Sequence, residues 1–257
     1  MRLFPKEHGA YGQLLFPLAT ALAVGRRTPA ALMLAAAAVL AFLAHEPLLV
    51  LLGQRGPRAS RDDRSRALVW FASTAIGAAI LGVAALAVAP RGAAIARALV
   101  VPGALAMALA AVIISKREHT LAGEALASVT FASIALPVAR AAGVVSTVAF
   151  TCVAVFAAVF VAATVAVHAV IARTRRPPAI AARATGALVT VASIGALAWF
   201  GRMGFISTIA AIAALPACLA AFVAALVAPS ARRLRAIGWT LVATTLLAAA
   251  LLVVAFG

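Results

Sequence analysis

The chain has 257 residues, 66% of them apolar and 11% charged, against about a quarter charged in soluble domains. Too little polar surface is available to face water on all sides, so the composition excludes a soluble globular protein and makes the lipid bilayer the expected solvent. The net charge of +16 would suit nucleic acid in a soluble chain. Here the basic residues fall between apolar runs, so membrane topology explains them and nucleic acid is not an expected partner.

In chain order, nine apolar spans are predicted, roughly over 10–25, 29–52, 67–89, 98–115, 121–140, 144–172, 184–200, 204–228 and 237–256. The first and seventh are short for a hydrocarbon core that needs about 20 residues, and the sixth is long enough to tilt. The predicted fold class is all-α: a polytopic membrane helical bundle of about nine transmembrane helices, forming a single transmembrane domain over 1–257. Taken alternately, the loops on the side of the N-terminus hold sixteen basic residues and the opposite loops six. By the positive-inside rule the N-terminus lies inside a bacterial cytoplasmic membrane and the C-terminus outside. A cleavable signal peptide over 1–23, ending near Ala19, Ala21 and Ala23, is the competing reading. Glu7, His8 and Gln13 fit its simple basic region poorly.

The chemistry gathers on one side. All six acids and all four histidines fall at the predicted cytoplasmic face, largely as neighbours: Glu7-His8, His45-Glu46 and Glu118-His119, with Glu124 and His168. Asp62 and Asp63 read as local offsets to the arginines around them. His45 lies about 10 Å inside the end of its span, and Glu124 and His168 about 6–8 Å inside theirs. Ionisable groups at that depth are expected to face protein or a wet cavity and to pair. Glu46, His45 and Glu124 are therefore the candidate catalytic groups, at the walls of a cytoplasm-facing cavity. Candidate anion-binding residues are Lys6 and His8 before the first span, Arg55 and Arg58 after the second, Lys116 and Arg117 after the fourth, and Arg173 and Arg176 after the sixth. Glu46, His45 and His168 are the candidate ligands should a divalent cation bind. Adjacent helical residues diverge by about 100°, however, so each His-Glu pair offers roughly one ligand. A haem between His45 and His168 has only their similar depth in its favour. The cysteines Cys152 and Cys218 sit inside apolar runs without pairing or ligand spacing.

The stretch Pro5-Lys6-Glu7-His8-Gly9-Ala10-Tyr11-Gly12, followed by Leu14-Leu15-Phe16-Pro17, with His45-Glu46-Pro47 and Arg55-Gly56, resembles the YwiC-like family of bacterial integral membrane proteins. That resemblance implies no particular activity. The layout is also similar to the UbiA family of intramembrane prenyltransferases, which have nine helices and two aspartate-rich motifs that hold a prenyl diphosphate through Mg²⁺. His45-Glu46 stands where the first motif begins, and Arg55, Pro57 and Arg58 where its basic segment trails. Gly123-Glu124, then Leu136-Pro137 and Gly143, resembles a further part of that pattern. Leu49 and Gly53 replace further acids, and His168 to Arg176 replaces the second motif without a carboxylate. The resemblance thus implies a UbiA-like bundle more than its reaction.

Three functions are open at this point. One is a bundle whose pocket binds an anionic or isoprenoid lipid and carries out transfer chemistry on it, with Glu46 as base or metal ligand. Another is a non-catalytic membrane partner or assembly factor. A transporter is the third, but it would favour a midplane site and internal repeats, and no repeat is found.

Overall fold

The computed structural model describes residues 8–175 and 179–257, with the side chains of His8, Arg175 and Ala231 outside the description. Among the described residues the chain forms helices and no strand. In order these are α1 (His8–Val24), α2 (Pro29–Leu43), α3 (His45–Leu51), α4 (Pro57–Asp62), α5 (Arg64–Val88) and α6 (Gly92–Ile114). There follow α7 (Leu121–Ser133), α8 (Ala135–Ala141), α9 (Ser146–Arg175), α10 (Ile180–Arg202), α11 (Ile209–Val227) and α12 (Leu234–Phe256). Helices α2 and α3 together make one span, as do α7 and α8, giving eight described spans of membrane-crossing length and the shorter apolar α1. The protein is a multi-pass membrane helical bundle.

Helix ends differ from the sequence reading where charge misleads. α5 starts at Arg64 and α6 at Gly92, so Arg64, Arg66 and Arg97 lie within helices rather than loops. Long arginine stems can lie along a helix end while the guanidinium stays at the interface. α10, expected to be short, runs for 23 residues and carries Arg183 and Arg202 near its ends.

Two spans are broken for the same reason. A proline offers no N–H to the carbonyl four residues back, and its ring crowds that carbonyl. Pro47 denies a bond to Leu43, where α2 ends, and Pro137 denies one to Ser133, where α7 ends. The chain resumes as helix after Ala44 and Ile134 respectively. The two breaks occur in spans that face each other across the cavity described below.

Alanine sets the packing. α9, α10 and α11 pack closely together, with Ala210, Ala213, Ala214, Ala217, Ala221 and Ala225 buried along one stripe of α11. A Cβ added at Gly186 of α10 would lie 2.7 Å from the Cβ of Ala225. Between apolar helices in lipid, such close backbone approach is the main source of attraction. A second apolar cluster joins α1, α2 and α8 through Leu14, Leu18, Leu34, Phe42, Leu136 and Val138. α1 is thus part of the packed bundle, against α8, α9 and α12.

Candidate functional site

A cavity of about 540 Å³ opens among α1, the α2/α3 span, α6, α7 and α9, within the range of small-ligand sites, about 300–1,000 Å³. Its outer end is ionisable. His45, Glu46, Arg55, Glu118, His119 and Glu124 all line it. Its inner end is apolar, with Phe42, Leu109, Phe131 and Ile134. Along α7 the lining runs from Gly123 to Ile134, about 16 Å, or roughly half the depth of a hydrocarbon core about 30 Å thick.

The best-defined contact in the outer end is an ion pair. Arg55 Nε donates to Glu46 Oε1 at 2.8 Å and Nη2 to Oε2 at 2.6 Å, a two-pronged match that lysine could not make. Glu46 is 1% exposed and Arg55 28%. The turn after α3 makes the pair possible. Gly53, at φ 72°, takes the left-handed position that closes a helix. Gly53 and Gln54 donate to the carbonyls of Val50 and Leu49. Gln54 Nε2 donates to Ile113 O at 2.8 Å, which fastens the turn to the end of α6, and Gly56, at φ 94°, redirects the chain into α4. A sequence separation of nine residues is thereby folded back over two helical turns.

Glu118 sits between two histidines, with Oε2 3.8 Å from His45 Nε2 and Oε1 3.4 Å from His119 Nε2. Glu124 Oε2 lies 3.3 Å from Nδ1 of His168, which stands behind the wall rather than in it. Thr120 caps α7 by accepting from Gly123 N at 3.1 Å, and the helix N-terminus favours the nearby Glu124 carboxylate. Gly123 is required by closeness. A Cβ there would stand 2.5 Å from Arg117 O and 2.8 Å from Glu118 O.

Deeper in, hydroxyls continue the polar path. Gln13 Nε2 donates to Ser128 Oγ at 3.3 Å, Ser128 Oγ donates to Glu124 O at 2.9 Å, and the Ser128 and Thr164 hydroxyls are 3.1 Å apart. Beyond them, Phe42 packs edge-on against both Tyr11 and Phe131, with centroids 5.0 and 5.6 Å away. Sequence reasoning missed Gln13, Gln54, Ser128 and Thr164. For Gln13, Ser128 and Thr164 the available signal was a polar side chain within an otherwise apolar span; Gln54, in the turn after α3, carried none.

The structure brings Glu46, His45, Glu124 and Arg55 to one cavity, and Gly9 and Ala10 of the distinctive N-terminal stretch line it as well. It does not bring Arg173 there. Arg173 Nη1 donates to the carbonyls of Val227 and Ala228, both at 2.6 Å, at the end of α11. Arg58, Lys116 and Arg117 are exposed and outside the cavity lining. Lys6, the His8 side chain and Arg176 lie outside the described residues. Arg55 thus borders the cavity, while Arg173 stands at the end of α11. Among the described residues, no three His, Cys, Asp or Glu side chains gather as metal ligands. His45 and His168 reach different carboxylates.

A family model described as YwiC-like protein matches residues 4–140. The matched segment contains every described lining residue of the cavity except Thr164 and Val167. No curated protein and no solved structure matches the chain.

Proposed function

The chain belongs to the YwiC-like family, and on that premise we propose that it binds one amphiphile in the cavity, polar head at Glu118, His119 and His45 and apolar chain along Leu109, Phe42 and Phe131. The observation that carries this reading is the division of one cavity into an ionisable outer end and an aromatic inner end. A chain that leaves lipid for an apolar wall gains little, because hydrocarbon is already apolar. Selection therefore falls to the head, through hydrogen bonds with the carboxylates and imidazoles. A lipid with a hydroxylated head, able to donate to the carboxylates and to accept from the imidazoles, is the class that fits this end.

The excess of basic residues in alternate loops supports a cytoplasmic opening, in the inner membrane of a bacterium, with the N-terminus inside and the C-terminus outside. Glu118 between His45 and His119 is an arrangement able to exchange a proton with a bound head. Glu46 has a different part. Its carboxylate is held by Arg55, so it fixes the loop that borders the head rather than acting as a free base.

The reading is tested by extracting the protein purified in mild detergent and identifying retained lipids by mass spectrometry. The wild type should carry one enriched amphiphile, and Ala127→Trp, which fills the cavity, should lose it. Retention of the same lipid mixture by both proteins would refute the pocket. Incubation with a prenyl diphosphate, aromatic acceptors and Mg²⁺ tests the transferase alternative. Robust Mg²⁺-dependent product, abolished by Glu46→Gln, would replace binding with catalysis as the function.

A further inference from the structure

All six acids of the chain lie before residue 125, and the 133 residues that follow hold nine arginines and no acid. At the end of the bundle, α11 and α12 leave a groove of about 510 Å³ between them, whose walls include Leu219, Val223, Val227, Ile237 and Leu241. Among the described residues one charged side chain lines it, Arg233, at the end where α11 stops and α12 begins. Small side chains at Ala220, Ala224 and Ala236 keep it open. From Val227 to Pro216 the groove runs about 16 Å, the depth of a single leaflet in a hydrocarbon core about 30 Å thick.

The charged end is built up further. Ala228 adopts a left-handed conformation, at φ 40°, and Pro229 prevents α11 from continuing. The exposed carbonyls of α11 are closed by Arg173, which donates to Val227 and Ala228, and by Arg183 Nε, which donates to Leu226 at 2.8 Å. Val227 is also a wall of the groove, so these guanidiniums stand at the same end as Arg232, Arg233 and Arg235. Arg233 has no ion pair among the described residues.

We infer that this groove is a binding site for an anionic phospholipid, its phosphate against Arg233 and one acyl chain between α11 and α12. The apolar wall of leaflet length fits the chain, and the basic end, with no carboxylate among its described lining residues, fits the phosphate. By alternation of the spans, the site faces the leaflet into which the cavity opens. The groove lies wholly outside the residues matched by the family model, so its fate is separable from that of the cavity.

The test uses the full chain, delipidated in detergent and titrated with phosphatidylglycerol or phosphatidylcholine, with bound lipid counted by native mass spectrometry. Wild type should prefer phosphatidylglycerol by about fivefold, the worth of one arginine near an anionic surface. Arg233→Gln should bring the ratio close to one, while Arg202→Gln, at the opposite end of the bundle, should leave it unchanged. Ala220→Phe should reduce the phosphatidylglycerol count with every arginine in place, which keeps the test valid if Arg233→Gln folds poorly. Equal counts for the two lipids in the wild type would overturn the proposal. So would competition by soluble glycerol phosphate as effective as by the lipid, or a second copy of the chain displacing the lipid.

Discussion

Arg55→Ala is the most informative perturbation of the cavity rim, because it leaves the Glu46 carboxylate 1% exposed without the guanidinium that holds both its oxygens. Removing one partner of a buried pair costs about 3–5 kcal/mol. Arg55 is 28% exposed, so water already reaches part of the pair, and the low end, about 3 kcal/mol, applies. For a chain of this length, 1 kcal/mol moves Tm by about 2–4 °C, giving a fall of about 6–12 °C. Glu46→Gln should cost much less, about 1 kcal/mol. It removes the buried charge, keeps an acceptor, and leaves an arginine that can hydrate. Arg55→Lys should fall between the two, since an ammonium cannot span two oxygens in a fork. Thermal unfolding of the three variants in one detergent, read by intrinsic fluorescence, gives the order. Equal losses for Arg55→Ala and Glu46→Gln, or an Arg55→Ala protein within 1–2 °C of wild type on the scale above, would refute the argument that a desolvated carboxylate depends on this arginine.

Other positions give further expectations. Gly123→Ala places a Cβ 2.5 Å from Arg117 O and should cost about 1–3 kcal/mol in thermal unfolding while loosening the cavity mouth. Gly56→Ala, at φ 94°, should cost about 1–3 kcal/mol from backbone strain alone, with no side-chain contact involved. Phe42→Ala removes a ring packed against two others and should lower stability by about 3–5 kcal/mol; retained lipid should fall with it. Reporter fusions near Arg61, Arg117, Arg175 and Arg233 should read as cytoplasmic, and a fusion at Gly257 as external. A cytoplasmic reading at Gly257 would break the sidedness argument.

The spans were legible because hydrocarbon imposes one demand on every residue it meets, and a run of apolar side chains records it directly. Their ends were less so: Arg64 and Arg97 look like loop residues by charge, yet a long stem lets a helical arginine reach the interface. Depth alone marked Glu46, His45, Glu124 and His168 as facing protein or cavity, and three of them line one cavity while His168 pairs with Glu124. The partners were not legible. Arg55 lies in a run of arginines that topology explains equally well, and only the turn through Gly53 and Gln54 returns it to Glu46. Arg173 looked like an anion ligand because nothing in sequence shows that the end of α11, more than fifty residues later, supplies two carbonyls for it. Ser128 and Thr164 are neighbours through the packing of α7 on α9, which alanine-rich sequence permits at many registers.

The claim that the cavity holds one kind of amphiphile is tested most directly by placing a photo-crosslinking phenylalanine analogue at position 131, inside the cavity, and at position 188. Leu188 is 69% exposed on the outer face of α10. Membranes are illuminated before extraction, and adducts are identified by mass spectrometry. The cavity position should yield one dominant amphiphile, and the outer position the mixture of bulk lipids. The same mixture at both positions, or no lipid adduct at 131 beside efficient labelling at 188, would contradict the account.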